Sequence, residues 1–357
     1  MISSASKLVI RTVIPMVLIA WLVLIAIMTL LELQDQLASS TSNQDLSSVL
    51  GIILLTTPRR AFEYFVYAAV IGTAIGLGQL AQSSELIVLR ALGVSKLKIV
   101  GSALFGVFLV TLVAFVMAEF LSAPGERRAQ ALAAGTAGRD IGVGNKTGLW
   151  LKDGSSFVNA RRAVLSDAGK QVELWDVRLL NFDASGHLIA LTLAQTATYQ
   201  SGGWLLRNVT QTGLDGAESK KLAQLAWLTP LRPEQIASRT LRPARQSLQE
   251  IWLNLNYARA NRLDTQGFSA ALWQRLTFPL SVLALALATT PFAFASLRTG
   301  GLGRSIFVGM MLAVVFFVLQ KMIVSLFDTY GWSMAIAYFL PATLIASFSF
   351  WRLRQDG

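Results

Sequence analysis

Six stretches of the chain stay apolar for about 20 residues at a time, near 12–31, 61–81, 97–121, 276–297, 305–326 and 334–351. An α-helix of about 20 residues crosses about 30 Å of hydrocarbon, so the pattern predicts six membrane spans, three on either side of a polar middle. Between about 147 and 230 the period shortens to two: "GLWLKDGSSFVNARRAVL", "QVELWDVRLLNFDASGHLIALTLAQTATYQSGGWLLRNVTQ" and "KKLAQLAWL" alternate apolar and polar positions, broken by Asp-Gly, Ser-Gly and Gly-Gly turns. Six to eight antiparallel strands are expected there. A lone sheet would expose its edges and one apolar face, so a sandwich, a jelly roll or a partly open barrel is the stable outcome. Trp150, Trp175, Trp204 and Trp227 are its candidate bulky core or groove residues. After the strands, Ser247 and Glu250 in "SLQEIWLNLNYARANRL" have the spacing of a capping box, which predicts a helix leading back to the fourth span.

One short stretch breaks the rhythm. "LAQSSELIVLRALGVS", residues 80–95, lies between the second and third spans and predicts a helix over about 84–92, too short to span anything. Ser83 or Ser84 is placed to cap it, Glu85 suits its first turn, Gly93 suits its stop, and Ser95 can open the third span. Leu86, Ile87, Val88, Leu89, Ala91 and Leu92 surround it with apolar groups. A helix apolar all round is buried on more than one face. One side can rest on the spans; the other rests either on lipid or in the groove of a second protein, with Glu85 and Arg90 as polar anchors at the rim.

Charge sets the expected orientation. With both termini cytoplasmic, the inner segments carry Lys7, Arg11, Arg90, Lys96, Lys98, Arg298, Arg304, Arg352 and Arg354, as the positive-inside rule favours. The basic, apolar start is read as a retained first span rather than a cleaved signal, because no small-residue cleavage site interrupts it. Three regions follow: 1–121 with the first three spans and the short helix, an outer domain over 122–275 with its β-structure at about 145–245, and 276–357 with the last three spans. The outer region holds 19 Lys or Arg against 12 Asp or Glu, an excess that suits either an anionic ligand or simple solubility. The chain has no cysteine, so disulfides do not hold that domain.

Enzyme signatures are missing. There is no G-x-x-x-x-G-K-[ST] loop, "GVGNKTG" lacking the Gly-Lys pair, and no G-x-S-x-G elbow. The single histidine, His187, sits in the turn "DASGHL" without cysteine co-ligands and reads as a solvated turn residue. Neither a catalytic residue nor a metal site is expected in this polypeptide.

"GLGQLAQSSELIVLRALGVS", "LSAPGERRAQALA", "GLWLKDGSSFVNARR" and "PFAFASLRTG" together resemble the LptF/LptG family of lipopolysaccharide-export permeases, with "GLWLKDG" and "APGERRA" closer to its LptG branch. The resemblance covers nearly the whole chain. It implies six transmembrane helices with a periplasmic all-β jellyroll-like domain between the third and fourth, in the inner membrane of a Gram-negative cell. It also implies a heterodimer with an LptF-like permease, an LptB-like ATPase dimer, an LptC-like bitopic protein and an LptA-like periplasmic bridge. No cofactor is implied in this chain; ATP and Mg2+ would bind the partner ATPase. Lipopolysaccharide would be extracted from the outer leaflet and passed to the bridge. By the same resemblance, Glu85, Leu86, Leu89, Arg90 and Gly93 belong to a coupling helix seated in the ATPase. The first and fifth spans would form lateral gates with the partner's fifth and first.

A phosphorylated, multi-acylated amphiphile needs an apolar cavity with cations at its outer rim. Arg59, Arg60 and Lys321 are the candidates, each with ordinary interfacial anchoring as the plain alternative, and Arg59 falls on a basic position of the family. "LLELQDQLASS" offers Glu32 and Asp35 but no base, which argues against phosphate contacts from that segment. Glu63, a carboxylate just inside an apolar run, is expected to pair with Lys321 or Arg60 or to face an aqueous cavity. Gly72 and Gly76 have the spacing of close helix packing, and Pro279 and Pro291 predict kinks in the fourth span. Two other function classes fit the sequence less well. A membrane-anchored scaffold with a binding domain has no use for an apolar cytoplasmic helix; an ion-coupled transporter calls for ionisable groups at mid-membrane and inverted repeats.

Overall fold

The computed structural model describes residues 4–39, 46–137, 149–153, 155–166, 171–183, 185–200, 203–213, 219–229, 232, 233, 236, 243–299 and 302–355. The stretch "GVGNKTG" and part of the Asp-Gly and Gly-Gly turns lie outside them. In chain order the helices are α1 (Ser4–Ser39), α2 (Leu46–Gln82), α3 (Glu85–Ala91), α4 (Lys96–Met117), α5 (Ala123–Ala137), α6 (Leu248–Ala260), α7 (Gln266–Thr299), α8 (Leu302–Thr329) and α9 (Met334–Gln355). A single π turn, Ala118–Ser122, joins α4 to α5. The chain forms two compact units: Met1–Glu32, Thr57–Leu121 and Gln266–Gly357 make the first, and Leu33–Thr56 and Ser122–Thr265 make the second.

Six helices in the described residues are long and apolar enough to cross a membrane: α1, α2, α4 continuing into α5, α7, α8 and α9. α1 and α2 run well past the apolar stretches at 12–31 and 61–81, because their polar flanks are helical too. In the first unit α1 packs on α2 through the two glycines. A Cβ at Gly72 would stand 2.3 Å from the Val17 Cα, and one at Gly76 3.0 Å from the Val13 Cα, so only hydrogen allows this approach. The Trp21 indole N–H reinforces the contact, donating to the Ala61 carbonyl at 2.7 Å, and its ring meets Phe65 edge-on. α7 continues as one helix through Pro279 and Pro291. The carbonyl that Pro291 cannot serve, that of Leu287, accepts instead from the Thr290 hydroxyl at 2.8 Å.

The second unit carries the β-structure. Strands β1 (Leu149–Asp153), β2 (Ser156–Ser166), β3 (Gln171–Phe182), β4 (Leu188–Gln200), β5 (Gly203–Gly213) and β6 (Lys220–Trp227) form one antiparallel sheet in the order β1-β2-β3-β4-β5-β6. This is the all-β domain that the alternation predicts, consistent with a jellyroll-like domain, and each described strand pairs with its sequence neighbours. Its apolar face buries Leu151, Val158, Leu174, Val177, Leu206, Val209 and Trp204. Of the four tryptophans only Trp204 is fully buried, whereas Trp150 on β1 is 54% exposed and belongs to neither core nor enclosed groove.

The alternation of period two breaks at one level across the sheet. Arg161, Asp176, Gln195 and Asn208 are each skipped in the register of β2, β3, β4 and β5. The buried positions flanking them are consequently three apart rather than two: Ala160 and Ala163, Leu174 and Val177, Ala194 and Ala197, Leu206 and Val209. Each of these four strands gives one extra residue to the outer face at the same level, so the pairing re-phases without a one-sided bulge. Asp176 and Asn208 sit there at φ 52° and 53°, conformations that Asp and Asn tolerate better than other side chains do. The crease opens on a polar cleft of about 320 Å³ lined by Arg161, Asp176, Arg178, Gln195 and Asn208 among others.

The "APGERR" stretch forms a junction within the second unit. Gly125 lies against the Leu55 carbonyl, where a Cβ would come to 2.2 Å. Glu126, buried, accepts from Arg245 at 3.2 Å, and Arg127 pairs with Glu250. Glu250 is also half of the expected capping box: Ser247 Oγ accepts from the Glu250 N–H and Glu250 accepts from the Ser247 N–H. Arg127 is thereby spent on seating α6, and Glu126 holds the Arg245 turn just before it. His187 is exposed in its turn, beside Asp183.

Candidate functional site

α3 is tied down at both ends. Its start differs from expectation: Ser84 adopts φ 61° and its side chain makes no capping bond, while the Ser83 hydroxyl donates back to the Leu80 carbonyl. The reason is geometric, since a cap needs extended backbone to aim its oxygen at the first turn and Ser84 is left-handed. The stop is a Schellman turn. The Gly93 N–H donates to the Arg90 carbonyl, the Val94 N–H to the Leu89 carbonyl, and Gly93 takes φ 82°. Two residues on, Ser95 caps α4 by accepting from the Lys98 N–H. Two tight turns therefore leave α3 without slack toward either α2 or α4.

The two faces of α3 have different environments. Leu86 and Leu89 are buried in the first unit's core with Leu80, Ala81, Ile99 and Ala103, so they hold the helix to its own chain. Ile87 and Val88 are over half exposed and Leu92 is 75% exposed; Arg90 is exposed and Glu85 half-buried. The outward apolar triad is Ile87, Val88 and Leu92, which an all-round apolar sequence could not single out. Removing such residues from water is worth about 1.5–3 kcal/mol each.

A second group of functional candidates lies on α2 and α1. Arg59 and Glu63, one turn apart, make an ion pair with Nη1 to Oε1 at 2.7 Å and Oε2 at 2.8 Å. Glu63 thus pairs with Arg59, not with Lys321 or Arg60, because residues four apart share a helix face. Arg60, whose side chain is 6% exposed, reaches Glu32 of α1 at 3.1 Å. Lys321 is exposed on α8 and, among the described residues, joins neither pair. A third pair was invisible in the sequence. Arg275 of α7 donates to Glu119 of the π turn at 2.9 Å and lies over the Phe62 ring, which stacks on Phe278. Glu119 and Arg275 stand 156 residues apart in the chain, and only the packing of α4 beside α7 brings them together.

The comparison with known proteins follows the same outline. The family described as lipopolysaccharide export system permease LptF/LptG matches residues 7–355. The chain belongs to this LptF/LptG family. It is similar to the lipopolysaccharide export system permease protein LptG of Escherichia coli K12, 26% identical over 360 residues and 97% of each chain. LptG of Haemophilus influenzae is 28% identical over 309 residues, 84% of each chain. For a member of the LptF/LptG family the architecture fits: a multi-pass membrane protein whose described residues hold six apolar helices and, between the third and fourth, a six-stranded β-sheet. Its role is that of a non-catalytic permease subunit in lipopolysaccharide export.

Proposed function

We propose that this chain is one half of the membrane core of an ATP-driven lipopolysaccharide exporter in the inner membrane, with both termini cytoplasmic and the β-domain periplasmic. Its partners are an LptF-like permease, an LptB-like ATPase dimer that alone binds ATP and Mg2+, an LptC-like bitopic protein and an LptA-like bridge. The observation that carries the reading is the two-sided α3, which is bolted to its own spans through Leu86 and Leu89 while presenting Ile87, Val88 and Leu92 outward.

A motor needs a rigid handle. Movement of an ATPase gripping the outward face of α3 passes to α2 through the Ser83–Ser84 turn and to α4 through the Gly93 stop and the Ser95 cap. Glu85 and Arg90 are the polar contacts at the rim of that grip. Arg59, Arg60, Lys321 and Glu63 are the charged groups assigned to the lipopolysaccharide headgroup, with lipid-facing α1 and α8 alongside its acyl chains.

The test is co-purification of the ATPase with the detergent-solubilised complex, with hydrolysis measured on the same samples. Val88→Asp and Ile87→Asp are expected to fold, keep the partner permease and lose the ATPase or its coupled turnover. If both retain the ATPase with normal coupled hydrolysis, α3 only rests on lipid and the mechanism is wrong.

A further inference from the structure

Arg59 and Arg60 each hold a carboxylate. Arg59 binds Glu63 through both carboxylate oxygens, with side chains 18% and 48% exposed. Arg60 binds Glu32 from the neighbouring helix, with side chains 6% and 33% exposed. Within these two pairs each arginine's charge is matched by a carboxylate, although the sequence offers adjacent arginines. Arg59 Nη1 and Arg60 Nη2, the nitrogens bonded to these carboxylates, accept another anion only if it takes the carboxylate's place.

That requirement sorts anions by charge. A phosphate diester headgroup carries one negative charge, no more than the carboxylate it would replace, and gains nothing by the exchange. A phosphate monoester carries about −1.5 to −2 at neutral pH and has three strongly accepting oxygens, so it makes better charge-assisted bonds to a guanidinium. Arg60 is also too enclosed to stand with no anion at all, because an uncompensated buried charge is costly. Exchange of one anion for another keeps it neutralised throughout. A site of bare arginines would be filled by whichever anionic lipid is commonest, whereas a penalty built against the wrong ligand creates selectivity.

We propose that Glu32 and Glu63 determine the headgroup specificity of this site: they withhold Arg60 and Arg59 from singly charged diester lipids and yield them to a lipid bearing a phosphate monoester. The inference rests on the reading of Arg59 and Arg60 as headgroup contacts. Glu63 is the more exposed partner and the first to be displaced. Glu32 guards the more buried arginine and sets the higher threshold.

The experiment is lipid binding to the full-length chain in detergent at pH 8, read by native mass spectrometry. The probes are dioleoyl phosphatidic acid, a monoester, dioleoyl phosphatidylglycerol, a diester with the same acyl chains, and bisphosphorylated lipid A. The wild type is expected to prefer phosphatidic acid to phosphatidylglycerol by at least about tenfold. Glu63→Gln, and more strongly Glu32→Gln/Glu63→Gln, should raise phosphatidylglycerol binding about tenfold and collapse that ratio. A merely structural role for the carboxylates would lower both affinities together. Glu63→Gln changes an exposed group, so a folding defect does not decide the outcome, and thermal melting checks the double variant.

Wild-type indifference between the two lipids, or an unchanged ratio in Glu63→Gln and the double variant, would overturn the proposal while lipid A binding that depends on Arg59 and Arg60 kept the site itself standing. Lipid A binding that survives Arg59→Gln/Arg60→Gln would overturn the site and the specificity together. Inorganic phosphate at the same concentration is expected not to displace phosphatidic acid; displacement would overturn the assignment to a lipid headgroup.

Discussion

Gly72 of α2 lies so close to Val17 of α1 that a Cβ at position 72 would stand 2.3 Å from the valine Cα. The obstacle is backbone, which no rotamer change relieves. Gly72→Ala is therefore expected to cost about 3 kcal/mol or more, at the top of the range for overpacking. Gly76→Ala, facing Val13 at 3.0 Å, should cost markedly less. Thermal melting of the two variants in detergent gives the order; equal melting points would show that α1 moves freely on α2.

α3 yields a prediction that separates its two faces. Leu86 is fully buried, so Leu86→Ala should lower stability by about 2–5 kcal/mol whether or not an ATPase is present. Val88→Ala removes an exposed group and should leave the melting temperature of the isolated chain within about 1 °C, as surface changes generally do. Measured on the isolated chain, the pair establishes which face belongs to the fold before any partner is added.

Glu250 serves two partners, the Ser247 N–H and the Arg127 guanidinium. Glu250→Ala should destabilise by about 2 kcal/mol or more, because it removes a cap contact and leaves Arg127 unpaired in a partly buried place. Ser247→Ala should cost about 1 kcal/mol. A double-mutant cycle of Arg127→Ala with Glu250→Ala is expected to be non-additive by at least about 0.5 kcal/mol, the scale for residues in contact.

The crease in the sheet is tested at Asn208, which holds φ 53° and donates to the Gln195 side chain. Asn208→Gly keeps that backbone angle accessible, while Asn208→Val does not. The valine variant should be less stable than the glycine variant by about 1–2 kcal/mol, the penalty for a left-handed residue. Equal stabilities in a melting series would mean that the crease relaxes when its side chains change.

Much of this architecture was legible from local pattern. Apolar length marked six helices, alternation marked the strands, and Ser247 with Glu250 marked the cap of α6, because each depends on residues close in sequence. Gly72 and Gly76 announced a close approach without naming its partner. Gly93 announced the end of α3, whereas the cap expected from Ser84 failed because the tight turn from α2 forces that residue left-handed.

Sequence by itself thus determined the six apolar spans, the alternating strands and the short helix α3 with its glycine stop, since hydrogen bonding and apolar spacing act over a few residues. It did not determine how far α1 and α2 extend or that α5 is helical. Tertiary structure alone decided the rest. It chose which face of α3 is buried, because a helix apolar on all sides carries no preference until α2, α4 and the core meet it. It placed Glu32 of α1 on Arg60 of α2 and Glu119 on Arg275 across 156 residues, because charge pairing between helices depends on distances that only packing sets.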